Sequence, residues 1–124
     1  MNKLIHTLIM LTLLVSTASA ANWIFDPVPG TITDGEWTFA ATVNGTSLAV
    51  GACSADPGAV ATLDFTKGVT SPDETTTYTI TTLNPQFSTY GNKTRVGELR
   101  LPASRLANIS ANAFNGCTAL TNVV

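Results

Sequence analysis

The side chains able to do chemistry are few and scattered. The chain's sole histidine is His6, which falls in an N-terminal leader. Beyond the leader, a Ser–His or Cys–His nucleophile pair has no histidine to use, and neither does a histidine metal site. The two cysteines are Cys53 and Cys117. Two thiols without histidine fall short of the roughly four ligands of a zinc site. An exported chain permits a disulfide between them, and spacing alone leaves open a bridge or two separately buried thiols. Asp73 and Glu74 are the adjacent carboxylates, set among threonines, and read as a solvated turn. Glu98 and Arg100 flank Leu99. On a strand they leave on the side opposite Leu99 and face outward. No nucleophile-elbow, phosphate-loop, zinc-protease or calcium-loop pattern is present. No catalytic, cofactor-binding or metal-binding residue is therefore assigned, and the chain reads as a non-enzyme without a cofactor.

Charge narrows the partners. Residues 21–124 hold five Lys or Arg against eight Asp or Glu, a formal net charge of −3. Without a basic stripe, nucleic acid is not an expected partner. Asn44, Asn92 and Asn108 open N-x-S/T sequons, expected to stay unmodified.

The leader is residues 1–20. Lys3 precedes an apolar run over residues 4–15, and Ala18-Ser19-Ala20 is a small-residue cleavage signature. The run is twelve residues long, short of the roughly 20 that span a bilayer. Residues 1–20 are expected to be a signal peptide, and the mature chain to be exported without a membrane span.

The elements that follow read as mostly β. Eighteen threonines lie beyond the leader, and β-branched residues suit a pleated surface. Residues 21–35 carry Pro27, Pro29, Gly30 and Gly35 and read as an irregular segment. Trp37, Phe39, Ala41 and Val43 alternate, and Asn44-Gly45 leads on to Leu48 and Val50. Asn-Gly between alternating runs predicts a type I′ hairpin of 37–43 with 46–50, pairing Val43 with Thr46, Ala41 with Leu48 and Phe39 with Val50. Residues 51–60 read as a small-residue loop, 61–66 as a short strand, 67–76 as a polar loop and 77–83 as a strand ending at Asn84-Pro85. No long helix is expected, beyond a turn or two over 103–113.

The last third repeats. Leu120 and Val123 match Val96 and Leu99 at an offset of 24 residues, and Phe114 matches Phe87 at 27. Leu63-Asp64-Phe65-Thr66 resembles Leu99-Arg100-Leu101-Pro102 at 36. A period in the twenties predicts a solenoid.

These residues resemble the BspA-like leucine-rich repeat family of bacterial and protist surface proteins. The resemblance rests on Leu99-Arg100-Leu101-Pro102 and on Ala113-Phe114-Asn115-Gly116-Cys117-Thr118-Ala119-Leu120-Thr121-Asn122-Val123, the family's A-F-x-G-C-x-x-L-x-x-V core, with Ser110 where glycine is usual. It implies a leucine-rich repeat solenoid of short parallel strands, capped by a β-hairpin and loop over 36–62. The solenoid would start at 63–124, with a degenerate repeat over 63–98 and a repeat over 99–124. Ile109, Phe114, Cys117, Leu120, Leu99 and Leu101 would fill its interior, with Cys117 as a packing residue. It also implies a secreted or cell-surface protein of adhesion type, whose unknown protein or extracellular surface ligand would meet the concave sheet. With one clear repeat and no terminal cap, the chain is expected to be the N-terminal piece of a longer protein. The competing reading is a small secreted β-sandwich that binds carbohydrate or acts as a hydrolase.

Overall fold

The computed structural model describes residues 22–87, 90–102 and 105–124. The leader, with Lys3, His6 and the cleavage signature, lies outside them. The chain forms ten strands and one short helix among the described residues: β1 (Trp23–Asp26), β2 (Thr31–Thr33), β3 (Thr38–Asn44), β4 (Ser47–Ala55), β5 (Ala61–Asp64), β6 (Val69–Thr70), β7 (Thr77–Leu83), α1 (Tyr90–Thr94), β8 (Val96–Arg100), β9 (Asn108–Ile109) and β10 (Asn122–Val123).

Six strands close into a barrel in the order β1-β2-β3-β4-β7-β6, with β6 returning to β1. The β1–β2, β2–β3, β3–β4 and β6–β7 pairs are antiparallel, whereas β4–β7 and β1–β6 are parallel. β9 adds in parallel to the far end of β7. Strand alternation fills the barrel with Trp23, Phe25, Ile32, Phe39, Leu48 and Val50, all essentially without solvent contact. A second sheet of three parallel strands runs β5-β8-β10.

The expected leucine-rich repeat solenoid is not the fold. A solenoid coils in one sense through parallel neighbours, yet residues 23–55 fold back on themselves three times as antiparallel neighbours, and β4 pairs with β7 to shut the ring. The physical cause is the aromatic content ahead of the repeat. Trp23, Phe25, Trp37 and Phe39 are each at most 1% exposed, and burying such large side chains favours a shared interior that excludes water on all sides. The 24-residue and 36-residue offsets are real, but they are strand registers. Leu99 pairs with Val123, and Leu63 with Leu99. Neighbouring parallel strands with one face buried select similar residues at paired positions, which imitates a repeat.

The segment 21–35 is ordered rather than irregular. Its prolines sit in the turn between β1 and β2, where no ladder donor is needed. Gly30 N donates to Asp26 O at 3.0 Å, and Val28 N donates to Asp26 Oδ1 at 3.0 Å. Nor do residues 36–62 cap a solenoid: β3 and β4 are two staves of the barrel, and β4 continues through Ala55, across the first half of the expected loop.

The β3–β4 pairing is also two residues from expectation, because the turn lies one residue further along the chain. Asn44 faces Ser47, Val43 faces Leu48 and Ala41 faces Val50. The turn residues are Gly45 and Thr46, and Gly45 has φ of 64° while Thr46 does not enter the left-handed region. A positive φ at the first central position alone is the type II′ arrangement, and it leaves Asn44 extended in β3. Further along, Phe39 faces Cys53 while Ala41 faces Val50, so β4 carries an extra residue there. Such a bulge bends a strand and tightens its twist, which helps a small barrel close.

Two indoles lock the sheets together. Trp23 Nε1 donates to Asp64 O at 2.8 Å, and Trp37 Nε1 donates to Thr62 O at 3.1 Å. Thr62 and Asp64 alternate with Leu63 along β5, so both carbonyls leave the edge opposite β8. The tryptophans thus occupy the acceptors of an otherwise open strand edge. From this junction Phe39, Phe87 and Phe114 follow in sequence, with centroid separations of 6.2 and 6.3 Å. Leu101, Phe114, Cys117 and Leu120 are partly buried against the core, and Leu99 is fully buried. Ile109, expected inside, is 42% exposed on β9. Its strand lies at an end with no further strand beyond it among the described residues.

Candidate functional site

The candidate site is the outer face of the β5-β8-β10 sheet. Alternation over Glu98–Arg100 buries Leu99 and turns Glu98 and Arg100 outward, and the extra residue that β8 carries at Gly97 lets Val96 face the core as well. Register then places Thr62, Glu98 and Asn122 side by side across three strands, and Asp64 beside Arg100.

Glu98 is the hub of this face. Its Oε2 accepts from Arg100 Nε at 2.9 Å and from Thr62 Oγ1 at 3.4 Å. Its Oε1 accepts from Asn122 Nδ2 at 2.6 Å. These donors, the Arg100 guanidinium first and Asn122 next, hold the Glu98 carboxyl below the usual glutamate range. Glu98 in turn raises the pKa of Arg100. A carboxylate kept ionised at neutral pH can accept hydrogen bonds and is poorly matched to donating a proton.

Beside this row runs an open groove of about 580 Å³ lined by Val60, Ala61, Gly97, Ala119 and Thr121. A Cβ at Gly97 would lie 2.5 Å from Val60 Cγ1, so any larger residue there would oblige Val60 to move. A smaller cavity of about 170 Å³ is bordered by Phe65, Lys67, Tyr78, Pro102 and Arg105. Lys67 is directed to Asp34 Oδ2 at 3.4 Å, and that carboxylate is almost wholly enclosed.

The remaining residues singled out in the sequence lie elsewhere. Cys53 and Cys117 are both thiols rather than a disulfide. Burial pushes Cys53 up to about 11, and burial also raises Cys117, partly offset by Lys93. Neither is a reactive thiolate at neutral pH. Asp73 sits in the turn between β6 and β7, accepting from Ser71 Oγ at 2.7 Å and from Thr75 Oγ1 at 2.7 Å. Asn92 is buried and donates to Asp56 Oδ2, so this sequon residue is part of the structure's interior. Among the described residues no cluster of His, Cys, Asp and Glu could hold a metal ion, and no helix is long and apolar enough to cross a membrane.

Glu98 and Arg100 were marked in the sequence as outward-facing, but Thr62 and Asn122 were not. The signal was present. Each stands one residue before Leu63 or Val123, as Glu98 stands before Leu99, so the two offsets already align all three. No family model, curated protein or solved structure matches the chain.

Proposed function

We propose that the chain is an exported, non-enzymatic protein that binds another protein or an extracellular surface through the outer face of β5, β8 and β10. The observation that carries this reading is the braced row Thr62–Glu98–Asn122 with Arg100 beside it. Charged groups held in place before binding lose less conformational freedom on contact, which favours recognition. The groove along Val60, Gly97 and Thr121 gives an extended segment somewhere to lie. The resemblance of residues 113–123 to the core of BspA-like surface proteins supports the same class of role. Lys3, the apolar run and Ala18-Ser19-Ala20 support export.

The test is to pan a random peptide display library and, in parallel, a glycan array against the full chain. Retention of peptides, with no glycan retained or hydrolysed, is the expected result. Selective glycan binding or turnover would overturn the reading in favour of a carbohydrate-directed protein. Export is tested separately by N-terminal sequencing of the secreted product, which should begin at Ala21; retention of Met1 would contradict it.

A further inference from the structure

We propose that the cavity of about 170 Å³ beside β6 and β7 binds a small monocarboxylate with a benzene-sized apolar body, its carboxylate held by Arg105 and Lys67. Three observations carry this. First, the cavity has an apolar floor. Phe65, Val69 and Ile80 border it, and each is at most 4% exposed. Phe65 is held in place by stacking on Trp23, with ring centroids 5.6 Å apart. Secondly, the charged side chains bordering it are Lys67 and Arg105, both cationic, in a chain whose formal net charge is −2. Thirdly, its polar groups have donors to spare. Arg105 and the Tyr78 hydroxyl make no hydrogen bond or ion pair among the described residues. Lys67 meets Asp34 Oδ2 at 3.4 Å, which leaves two of its three N–H groups for a ligand. The Tyr78 ring is fixed edge-on against Phe25 at 5.0 Å, so its hydroxyl is positioned in advance.

These features select the ligand. An apolar cavity of about 150 Å³ holds benzene, so the floor suits a group of that size. An uncharged ring would leave the guanidinium unanswered, and a bare inorganic anion would leave the floor unfilled. A planar guanidinium takes a carboxylate through two parallel hydrogen bonds, and the Lys67 ammonium adds a second positive charge. Asp34 does not compete for this head group. Its Oδ1 accepts from Trp37 N at 2.8 Å and Glu36 N at 2.9 Å, and its side chain is 3% exposed. Arg105 has φ of 71°, a conformation unfavourable for any residue with a Cβ. Such backbone is retained where it sets a side chain in place, as at ligand clamps. The cavity shares no bordering residue with the groove on the β5-β8-β10 face, so this inference does not depend on what that face binds.

Amide chemical-shift titration of the full chain at low salt tests it, with benzoate, benzamide and inorganic phosphate as probes. Benzoate should give saturable shifts centred on residues 65–69 and 78–80. Benzamide lacks the charge and phosphate lacks the ring, and each should bind at least about tenfold more weakly. N-acetylphenylalanine, run beside benzoate, distinguishes a peptide's C-terminal residue from a free acid, and saturable binding of either at this cavity supports the proposal. Arg105→Gly removes the guanidinium and suits the backbone there. It should weaken benzoate at least about tenfold without lowering the urea midpoint. Absence of saturable shifts at the cavity with either acid, benzamide or phosphate matching benzoate, or unchanged benzoate affinity in Arg105→Gly would overturn it. If that variant does not fold, salt decides in the unaltered chain. Benzoate binding that weakens as sodium chloride is added supports the charged contact, and binding indifferent to salt overturns it.

Discussion

Trp23 Nε1 reaches across from the first strand of the barrel to the carbonyl oxygen of Asp64, 2.8 Å away at the edge of the other sheet. Trp37 repeats the contact two residues earlier on β5, at Thr62 O. These bonds let a three-stranded parallel sheet stand against a barrel with the Thr62 and Asp64 carbonyls of its near edge satisfied. Trp23→Phe removes the donor but keeps an aromatic ring. Leaving the Asp64 carbonyl unpaired beside the core should cost about 1–3 kcal/mol in urea unfolding. A loss of only a few tenths would show that the indole bond does not hold the sheets together.

The β3–β4 turn makes a second prediction. Gly45 has φ of 64°, while Asn44 is extended within β3. Gly45→Val should destabilise by about 1 kcal/mol or more, because a β-branched residue resists that conformation. Asn44→Thr should be close to neutral, since Asn44 needs no left-handed backbone. Equal penalties at both positions would restore the type I′ register and contradict the pairing of Val43 with Leu48.

A third concerns the groove. Gly97→Ala brings a methyl group within 2.5 Å of Val60 Cγ1 unless one of them moves. Overpacking of this kind costs about 1–3 kcal/mol. Because Val60 is 60% exposed, its rotation should relieve part of the strain, placing the cost at the low end. In a Val60→Ala background the penalty should largely vanish. Thermal unfolding of the four chains of the double-mutant cycle measures this, and strict additivity would refute the contact.

The turn between β6 and β7 carries a pH signature. Hydrogen bonds from Ser71 and Thr75 lower the Asp73 carboxyl from 3.8 to about 2. Because its folded-state value is depressed, the stabilisation it gives is complete above its ordinary value and is lost as pH falls through about 2. Carboxyl-carbon NMR should place its midpoint near 2 in the folded chain. Ser71→Ala should move that midpoint upward, and a midpoint near 3.8 in the unaltered chain would show that the bonds do not persist in solution.

Much of the strand content was legible because alternation is local. Residues 77–83 read as a strand ending at Asn84-Pro85, and β7 ends at Leu83. What was not legible was closure. Nothing local in Ser47–Ala55 announces a parallel neighbour at β7, since that pairing joins positions 32 or more residues apart. Residues 21–35 misled for a related reason: Pro27 and Pro29 mark the turn, while Trp23, Phe25 and Ile32 on either side fix the hairpin through contacts in the barrel. In the candidate site, Glu98 and Arg100 followed from alternation alone. Thr62 and Asn122 needed the register of three strands, which the offsets contained but a solenoid reading turned to another use.

The most direct test of the proposed contact surface is a backbone-amide chemical-shift map of the full chain titrated with a display-selected peptide, repeated on Arg100→Glu. Arg100 is exposed on the sheet and bonded to Glu98 at 2.9 Å. Reversing its charge alters the face without entering the core. The account predicts perturbations centred on Thr62, Glu98, Arg100 and Asn122, and at least a tenfold weaker affinity for the variant, equivalent to about 1.4 kcal/mol. Perturbations confined to the barrel strands β1 to β3, with affinity unchanged by Arg100→Glu, would contradict it.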